Sequence, residues 1–284
     1  MMVRYATLAY GAGDAVYRHA SMLLLSLLAH APYPREIVVV TDRPVRFAWF
    51  DGIARSHPVT LDDITTWQGV VPFSMRVKLE VARHVAPRDG ALVLLDADTI
   101  ATADLTPMVN ALAERSLFMH KREFELASSR RRGNRALWRQ LRGRTFGRWQ
   151  FRPDDGMWNS GVIALPATDV SLLEEALELY DVLAREGIRH FATEQLAAGL
   201  VLGRTGRLRE AERWVTHYWG NRAQFDAEIS RRLEEADAAG LSPVAAVARF
   251  RKAPITLPAE VRPGPVAKLG RWFRAVVSRR TQRG

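Results

Sequence analysis

Two aspartates, Asp96 and Asp98, directly follow the apolar segment 91–95. This segment comes after turn-forming residues and is typical of a buried strand in a parallel sheet, although a buried helical turn has a similar composition. Residues i and i+2 of a strand point to the same side, so both carboxylates would converge at its carboxyl end, where α/β sheets bind ligands. Such a pair suits Mg²⁺ or Mn²⁺, which could in turn hold a diphosphate. A solvated acidic turn is the simpler alternative.

Three later motifs also carry side chains suited to binding. They are Asn159-Ser160-Gly161-Val162, Glu194-Gln195, and the segment from His217 to Arg222 that includes Gly220. The first runs into an apolar strand, and its glycine lets the backbone pass close to a neighbour or a ligand. A lone histidine is usually not a ligand, but His217 has a glycine and a cation close by. These motifs become informative only if the fold brings them to the two aspartates.

The fold that would do this is α/β, because strand-like and helix-like segments alternate along the first third of the chain. Expected strands are 3–10, 36–41 and 91–95, with 45–50 as a less regular candidate, and expected helices are 14–29 and 74–84. This alternation predicts a Rossmann-like, mostly parallel sheet flanked by helices, with right-handed crossovers. Gly11 and Gly13 lie at the first strand-to-helix turn, but the third glycine of a dinucleotide-binding motif is missing.

The second half should add further helices and strands to the same domain. We expect helices at 105–113, 169–186 and 192–202 and strands at 116–120 and 157–165. Ser171 and Glu174 have the spacing of a capping box for the helix at 169–186, and Gly187 would end it.

Composition limits the classes of protein to consider. The chain has 284 residues, 48% of them hydrophobic, which is enough for one large domain, expected at 1–261. Cysteine is absent, which excludes disulfides and thiolate metal sites and is compatible with a reducing cytosol. The N-terminal residues lack the pattern of a signal peptide, so we expect a cytoplasmic protein. The net charge of +10 implies attraction to polyanions without identifying them.

Much of the positive charge lies in one segment, 130–152. It contains Arg130, Arg131, Arg132, Arg135, Arg139, Arg142, Arg144, Arg148 and Arg152, interleaved with Trp138, Phe146 and Trp149. Arginines with aromatics could stack bases or sugars and neutralise phosphates. A solvated arginine-rich excursion is the alternative, and no known nucleic-acid module matches.

A second basic segment, 262–284, follows the helix-breaking residues Arg262-Pro263-Gly264-Pro265. Its apolar residues recur at helical spacing: Val266, Leu269, Trp272, Phe273, Val276 and Val277. A basic amphipathic helix of this kind is typical of segments that lie in an anionic membrane interface. We therefore expect a C-terminal helical tail that either attaches the protein peripherally to the inner face of a membrane or packs on the domain.

Taken in order, these motifs resemble the GT-A glycosyltransferases, above all glycosyltransferase family 8 and its bacterial relatives. The resemblance runs from about residue 3 to 222. It also includes the N-terminal segment Tyr5–Gly11 and the strand end Thr41-Asp42-Arg43-Pro44. It implies a GT-A fold and transfer of a sugar from a nucleotide-diphosphate sugar to a glycan or glycolipid. It further implies dependence on Mn²⁺ or Mg²⁺ and retention of anomeric configuration.

The resemblance also assigns residues. It implies that Asp96, Asp98 and His217 hold the metal. It implies that the donor is contacted by Thr7, Tyr10, Gly11, Asp42, Lys78, Asp96, Gly220 and Arg222. It places Asn159, Glu194 and Gln195 around the donor sugar as catalytic residues, with Gln195 beneath the anomeric carbon. The family often has a lysine where this chain has Ala223, so Arg222 would take over its contact with the β-phosphate.

Two other functions remain open from the sequence. A phosphatase or phosphotransferase of the haloacid dehalogenase type also has Asp-x-Asp after an apolar strand, with the first Asp as nucleophile. Its usual Gly-Thr continuation is absent, because Thr99 and Ile100 follow directly. The other alternative is a non-catalytic module that binds nucleotide sugars or nucleic acid. We expect no specific nucleic-acid partner.

Overall fold

A computed structural model describes residues 1–71, 75–188, 190–252 and 255. The strands are β1 (Val3–Ala9), β2 (Arg35–Thr41), β3 (Arg55–Pro58), β4 (Ala91–Asp96), β5 (Thr99–Ala101), β6 (Leu117–Glu125), β7 (Thr145–Phe146), β8 (Trp149–Gln150), β9 (Gly156–Pro166), β10 (Leu208–Glu210) and β11 (Val215–His217). The tail at 262–284, with its expected helix, lies outside the described residues.

Nine α-helices occur in the described part of the chain, none of them long and apolar enough to cross a membrane. They are α1 (Asp14–His30), α2 (Leu61–Gln68), α3 (Arg76–Val85), α4 (Thr106–Ala113), α5 (Arg132–Leu141), α6 (Ser171–Arg185), α7 (Thr193–Arg204), α8 (Arg222–Ala238) and α9 (Pro243–Lys252). Short 3₁₀ helices span Pro44–Phe50, Ala167–Asp169 and Trp219–Asn221. Ser74, the expected first residue of the third helix, is outside the described residues.

One seven-stranded sheet organises the domain, in the order β10-β6-β9-β4-β1-β2-β3. Strand β1 pairs in parallel with β2 and β4, whereas β9 runs antiparallel to both β4 and β6. Side chains of β4 alternate between two apolar layers, with Val93 and Leu95 on one face and Leu92 and Leu94 on the other. Helices α1, α4, α8 and α9 cover the first face, and α3, α6 and α7 cover the second. The predicted α/β fold with a mostly parallel sheet is therefore confirmed.

Two local predictions were wrong. Residues 45–50 form the 3₁₀ helix Pro44–Phe50 and not a strand, because Phe47 and Phe50, three residues apart, are buried while Val45 is 79% exposed. The capping box expected at Ser171 is also absent. Helix α6 begins at Ser171 itself, directly after a 3₁₀ turn, and no side chain caps it. Gly187, at φ +76°, does follow the end of α6 as expected.

The basic segment 130–152 folds as α5 and the β7–β8 hairpin. The rings of Phe146 and Trp149 are buried in the core on the α6 side of the sheet. The guanidinium groups of Arg144 and Arg148 lie 4.8 and 4.7 Å from the centroids of those rings. Both arginines also pair with glutamates, at 2.9 Å to Glu186 and 3.0 Å to Glu175 respectively. These two rings are therefore covered and do not offer stacking surfaces for bases.

A buried carboxylate fixes the far edge of the sheet. Asp169, just before α6, accepts hydrogen bonds of 3.1 and 2.6 Å from Arg207, the residue before β10. Arg207 also donates to the carbonyl oxygen of Arg115, at 2.7 Å, before β6. The hydrogen bonds from Arg207 hold the pKa of Asp169 below its usual value even though burial opposes this. The bidentate pair thus ties the edge strands to α6.

Asp169→Asn should destabilise the protein by about 1–3 kcal/mol, since it removes the charge of a buried carboxylate from a bidentate pair. The folded state lowers the pKa of Asp169, so this contribution is complete above the unfolded carboxyl pKa of about 3.9 and is lost as pH falls below it. Urea unfolding of both proteins between pH 7 and pH 3 would measure this difference, which should shrink toward pH 3.

Arg115→Ala is the matched control. Arg115 reaches Asp169 only at 3.5 Å and its side chain is 63% exposed, so its loss should change stability by less than about 0.5 kcal/mol. Equal losses in the two variants, or a pH-independent loss in Asp169→Asn, would contradict the assigned role of the pair.

Candidate functional site

Asp96, Asp98 and His217 converge although Asp98 and His217 are 119 positions apart in the sequence. Asp96 ends β4, and the chain then turns at residues 97–98 into β5. Strand β5 pairs antiparallel with β11 so that Thr99 lies opposite His217. The Nε2 atom of His217 consequently lies 3.3 Å from Asp98 Oδ1 and 3.8 Å from Asp96 Oδ2. One potential ligand atom from each of the three side chains lies within 4.8 Å of the others.

The convergence has a different local origin from the one expected. Strand β4 does not continue through Asp98, so alternation along a strand does not align the two carboxylates. A tight turn at 97–98 does so instead. The pairing of β5 with β11 then supplies the imidazole, and the same turn accepts a backbone hydrogen bond of 3.2 Å from Tyr218 to the Asp98 carbonyl.

Hydrogen bonding determines which nitrogen of His217 faces the carboxylates. Asn159 accepts a 2.9 Å hydrogen bond from the backbone N–H of Gly161, and since an amide N–H can only donate, the Asn159 atom is the oxygen Oδ1. The same oxygen lies 2.8 Å from His217 Nδ1, so Nδ1 carries a hydrogen and donates it. Nε2 is then the nitrogen that faces Asp96 and Asp98, and in the neutral imidazole it carries the lone pair, which is the tautomer a metal site needs.

A glycine at 161 is required for this arrangement. A Cβ atom there would overlap the imidazole of His217, and the nearest atom would be Nδ1 itself. The ring therefore packs directly on the backbone of β9. Any larger residue would push the imidazole away from the aspartates or disturb β9.

Lys78, from α3, reaches the same site from the second face of the sheet, which α3 covers. Its Nζ atom donates to Asp96 Oδ2 at 2.8 Å and to Ser160 Oγ at 2.9 Å, and lies 3.7 Å from Glu194 Oε1. Burial works to lower the pKa of Lys78, but the charges of Asp96 and Glu194 outweigh it and raise the pKa, so the group is an ammonium. A fixed positive charge thus lies next to the proposed metal position.

Glu194 and Gln195 enter from the first turn of α7. Glu194 is buried, and its Oε1 accepts a 2.8 Å hydrogen bond from Ser160 Oγ, whereas its Oε2 has no hydrogen-bond partner among the described residues. Burial raises the pKa of Glu194 above its usual value. Gln195 Oε1 accepts from the backbone N–H of Ser160 at 3.3 Å, which leaves its amide NH₂ group for other contacts. Both side chains retain polar atoms that a ligand could engage.

Asp98 carries a stable negative charge in this environment. Burial raises its pKa, but the hydrogen bond and charge of His217, together with the charge of Arg222, lower the pKa of Asp98 to about 2. The Nε atom of Arg222 lies 3.9 Å from Asp98 Oδ2 on a half-exposed side chain. A second cation therefore lies on the open side of the site.

Two cavities meet at these residues. The first, of about 420 Å³, is lined by Tyr10, Val16, Lys78, Asp96, Asp98, Phe191, Glu194, Gln195 and Arg222, among others. The second, of about 780 Å³, is lined by Asn159, Gly220 and a set of charged residues from β6 and the loop that follows it. His217 and Trp219 line both cavities. His217 therefore lies where the cavities adjoin, and Asp96 and Asp98 lie beside it in the first cavity.

Three of the residues expected to contact a donor, Thr7, Gly11 and Asp42, line neither cavity. Thr7 is buried within β1. Asp42 accepts a 3.2 Å hydrogen bond from Gly11 N and a 2.6 Å hydrogen bond from Tyr17, so it braces the β1–α1 loop. The sequence reasoning also missed Ser160 and Trp219. Ser160 lay within a motif that was recognised, whereas no spacing pattern pointed to Trp219.

Comparison with known proteins adds the fold family. No protein-family model and no curated protein sequence matches this chain. The structure is similar to that of mouse xyloside xylosyltransferase 1 in its apo form, with a TM-score of 0.50 and 11% identity over 74% of this chain and 85% of that one. It is also similar to the glycosyltransferase GlyE of Streptococcus pneumoniae, with a TM-score of 0.51 and 13% identity over 91% of this chain and 65% of that one. The chain therefore has the GT-A glycosyltransferase fold.

Proposed function

We propose that this protein is a metal-dependent glycosyltransferase, which moves a sugar from a nucleotide-diphosphate sugar to a glycan or glycolipid. The observation that carries the proposal is the convergence of Asp96, Asp98 and His217 in a cavity that adjoins a second one at His217. A sugar-transfer enzyme must hold a donor diphosphate and an acceptor hydroxyl side by side, and two adjoining cavities with a cation site next to their junction suit that arrangement. The GT-A fold supports the same conclusion.

The three side chains fit a divalent cation. Two carboxylates and one imidazole with its Nε2 lone pair directed inward form a donor set suited to Mn²⁺, and Mg²⁺ is the alternative. A bound cation would stabilise the negative charge that develops on the departing diphosphate.

The remaining residues of the first cavity have roles that follow from their charge. The ammonium of Lys78 and the guanidinium of Arg222 would stabilise the diphosphate from two sides. The unpartnered Oε2 of Glu194 and the amide NH₂ of Gln195 would bind hydroxyls of the donor sugar. The apolar walls at Tyr10 and Phe191 suit the nucleotide base. We assign Gln195 to the region of the anomeric carbon.

Retention of configuration belongs to the same proposal. Inversion requires a general base placed to deprotonate the acceptor. Among the described carboxylates, Asp96 and Asp98 are assigned to the metal and Glu194 is held by Ser160. The two glutamates lining the second cavity are also engaged, Glu123 with Asn159 and Glu212 with Lys121. Glu194 keeps an unpartnered Oε2, but it lines the first cavity, where the donor sugar is assigned. Both glutamates among the described residues of the second cavity, on the acceptor side, are paired.

The function can be tested with a panel of nucleotide sugars, assayed for Mn²⁺-dependent hydrolysis and thermal stabilisation. Asp98→Asn should abolish both effects, because it removes a charged ligand of the cation. Asp62→Asn is the control, since Asp62 is exposed in α2 and far along the chain from the site. Phosphatase activity on simple phosphate esters, with no response to any nucleotide sugar, would instead favour the haloacid dehalogenase alternative.

Asn159→Ala should lower Mn²⁺ affinity by about 10–100-fold, as is usual when a partner that orients a metal-bound histidine is lost. Asn110→Ala, an exposed position in α4, is the matched control. Nitrogen NMR of the histidines in the metal-free protein gives an independent measurement, because His217 should lose its single Nδ1–H tautomer in the variant. Unchanged Mn²⁺ affinity in Asn159→Ala would show that Asn159 does not orient His217.

Gln195→Ala should lower kcat by about 10²-fold or more while donor affinity changes little, because the residue is assigned to the anomeric centre and not to the nucleotide. Gln140→Ala, exposed on α5, is the control. Donor affinity and single-turnover rates separate binding from chemistry, and NMR of the first-formed product gives its anomeric configuration. A loss of donor affinity at unchanged turnover would refute the assignment, and an inverted product would refute retention.

A further inference from the structure

The lining of the second cavity contains more basic than acidic side chains. Its charged lining consists of Lys121, Arg122, Glu123, Arg130, Arg131 and Glu212. Four cationic side chains therefore face two carboxylates, in a space large enough for a monosaccharide or disaccharide. The cavity begins at His217 and Trp219, so whatever binds there lies next to the proposed metal position.

The ion pairs inside this cavity do not use all of its positive charge. Glu212 lies 3.7 Å from Lys121, and Glu123 accepts a hydrogen bond of 3.3 Å from Asn159. Arg122 donates to the carbonyl oxygen of Asp154 at 2.7 Å. The guanidinium groups of Arg130 and Arg131 have no ion pair and no hydrogen bond with any of the described residues. Both side chains are exposed, so their guanidinium groups are open to a ligand that enters the cavity from solution.

Position at the cavity distinguishes the two arginines from the rest of the basic segment. Arg144 and Arg148 lie on buried rings and pair with glutamates on α6. These contacts give both side chains a role in stabilising the fold. Arg130 and Arg131 make no such contacts, and they are the arginines of the segment that line the second cavity. Guanidinium groups bind phosphate and carboxylate oxygens in bidentate geometry, which makes an anion the matching ligand.

We propose that the second cavity binds an anionic acceptor, a saccharide that carries a phosphate or a carboxylate which contacts Arg130 and Arg131. The inference rests on the proposed function, because it is the sugar-transfer reaction that makes this ligand an acceptor. Trp219, 56% exposed and shared by both cavities, offers an apolar face for the sugar ring beside the metal position. The donor diphosphate is not the anion in question, since Arg130 and Arg131 do not line the first cavity.

The test compares three probes that differ in one group: glucose 6-phosphate, glucuronate and glucose. Binding to the metal-free protein is measured by ligand-observed NMR at low ionic strength. We expect glucose 6-phosphate, glucuronate or both to bind at least about tenfold more tightly than glucose, as charge-assisted hydrogen bonds imply. Whichever anion binds more tightly identifies the class. The difference should be lost in R130Q/R131Q, and higher salt should weaken it.

The double variant R132Q/R135Q is the matched control. It removes the same charge from the exposed start of α5, outside the second cavity, so it should keep the preference for the anionic sugar. Equal binding of all three probes, or a preference that survives in R130Q/R131Q, would overturn the proposal. Tighter binding of a single-stranded RNA oligonucleotide than of any sugar, lost in R130Q/R131Q, would assign the cavity to nucleic acid instead and also overturn it.

A separate measurement distinguishes this failure from failure of the proposed function. The anion comparison uses no metal and no donor, so it does not depend on Asp96, Asp98 or His217. Adding Mn²⁺ and then recording broadening of the bound sugar resonances reports whether the sugar lies beside the metal. Absence of Mn²⁺ binding in the wild-type protein would count against the proposed function, whereas anion selectivity without broadening would count against the acceptor role.

Discussion

The site depends on a balance of charge around one buried ammonium. Asp96, Asp98 and Glu194 bring three carboxyl groups to the end of β4, where water is largely excluded and like charges repel strongly. Lys78 contacts Asp96 directly and lies close to Glu194, and Ser160 links the ammonium to Glu194 through its hydroxyl. Removal of one partner of such a cluster would leave a buried charge without compensation, which is costly. The position of α3 beneath β4 is therefore as important to the site as the aspartates themselves.

A close approach between two strands completes the arrangement. The imidazole of His217 packs against the backbone at Gly161, and Asn159 bonds to both. Because β9 pairs with β4 and β11 pairs with β5, the two strands that carry these residues are fixed by hydrogen bonds on opposite sides of the Asp96–Asp98 turn. Backbone pairing thus sets the positions of the imidazole and the carboxylates, and the side chain of Asn159 sets the tautomer of His217.

The positive charge of the chain has at least three separate uses. Lys78 and Arg222 lie at the first cavity, and Arg144 and Arg148 cover buried aromatic rings and pair with α6. Arg130 and Arg131 border the second cavity. A net charge of +10 by itself suggests a general affinity for polyanions. Its distribution instead separates cations that stabilise the fold from cations that line two cavities, which adjoin at His217.

Strands and helices with continuous apolar or helical periodicity, such as β1, β4 and α1, could be predicted from the amino-acid sequence, and with them the α/β class. The sequence also identified most of the residues around the site, because carboxylate, imidazole and amide groups clustered in short motifs. Tertiary structure alone decided that residues 44–50 coil as a 3₁₀ helix, that Asp42 braces a loop and that Asn159 orients His217. Those outcomes depend on which strands pair and in what register. That choice is made by contacts between residues many positions apart, and local propensity carries no record of it.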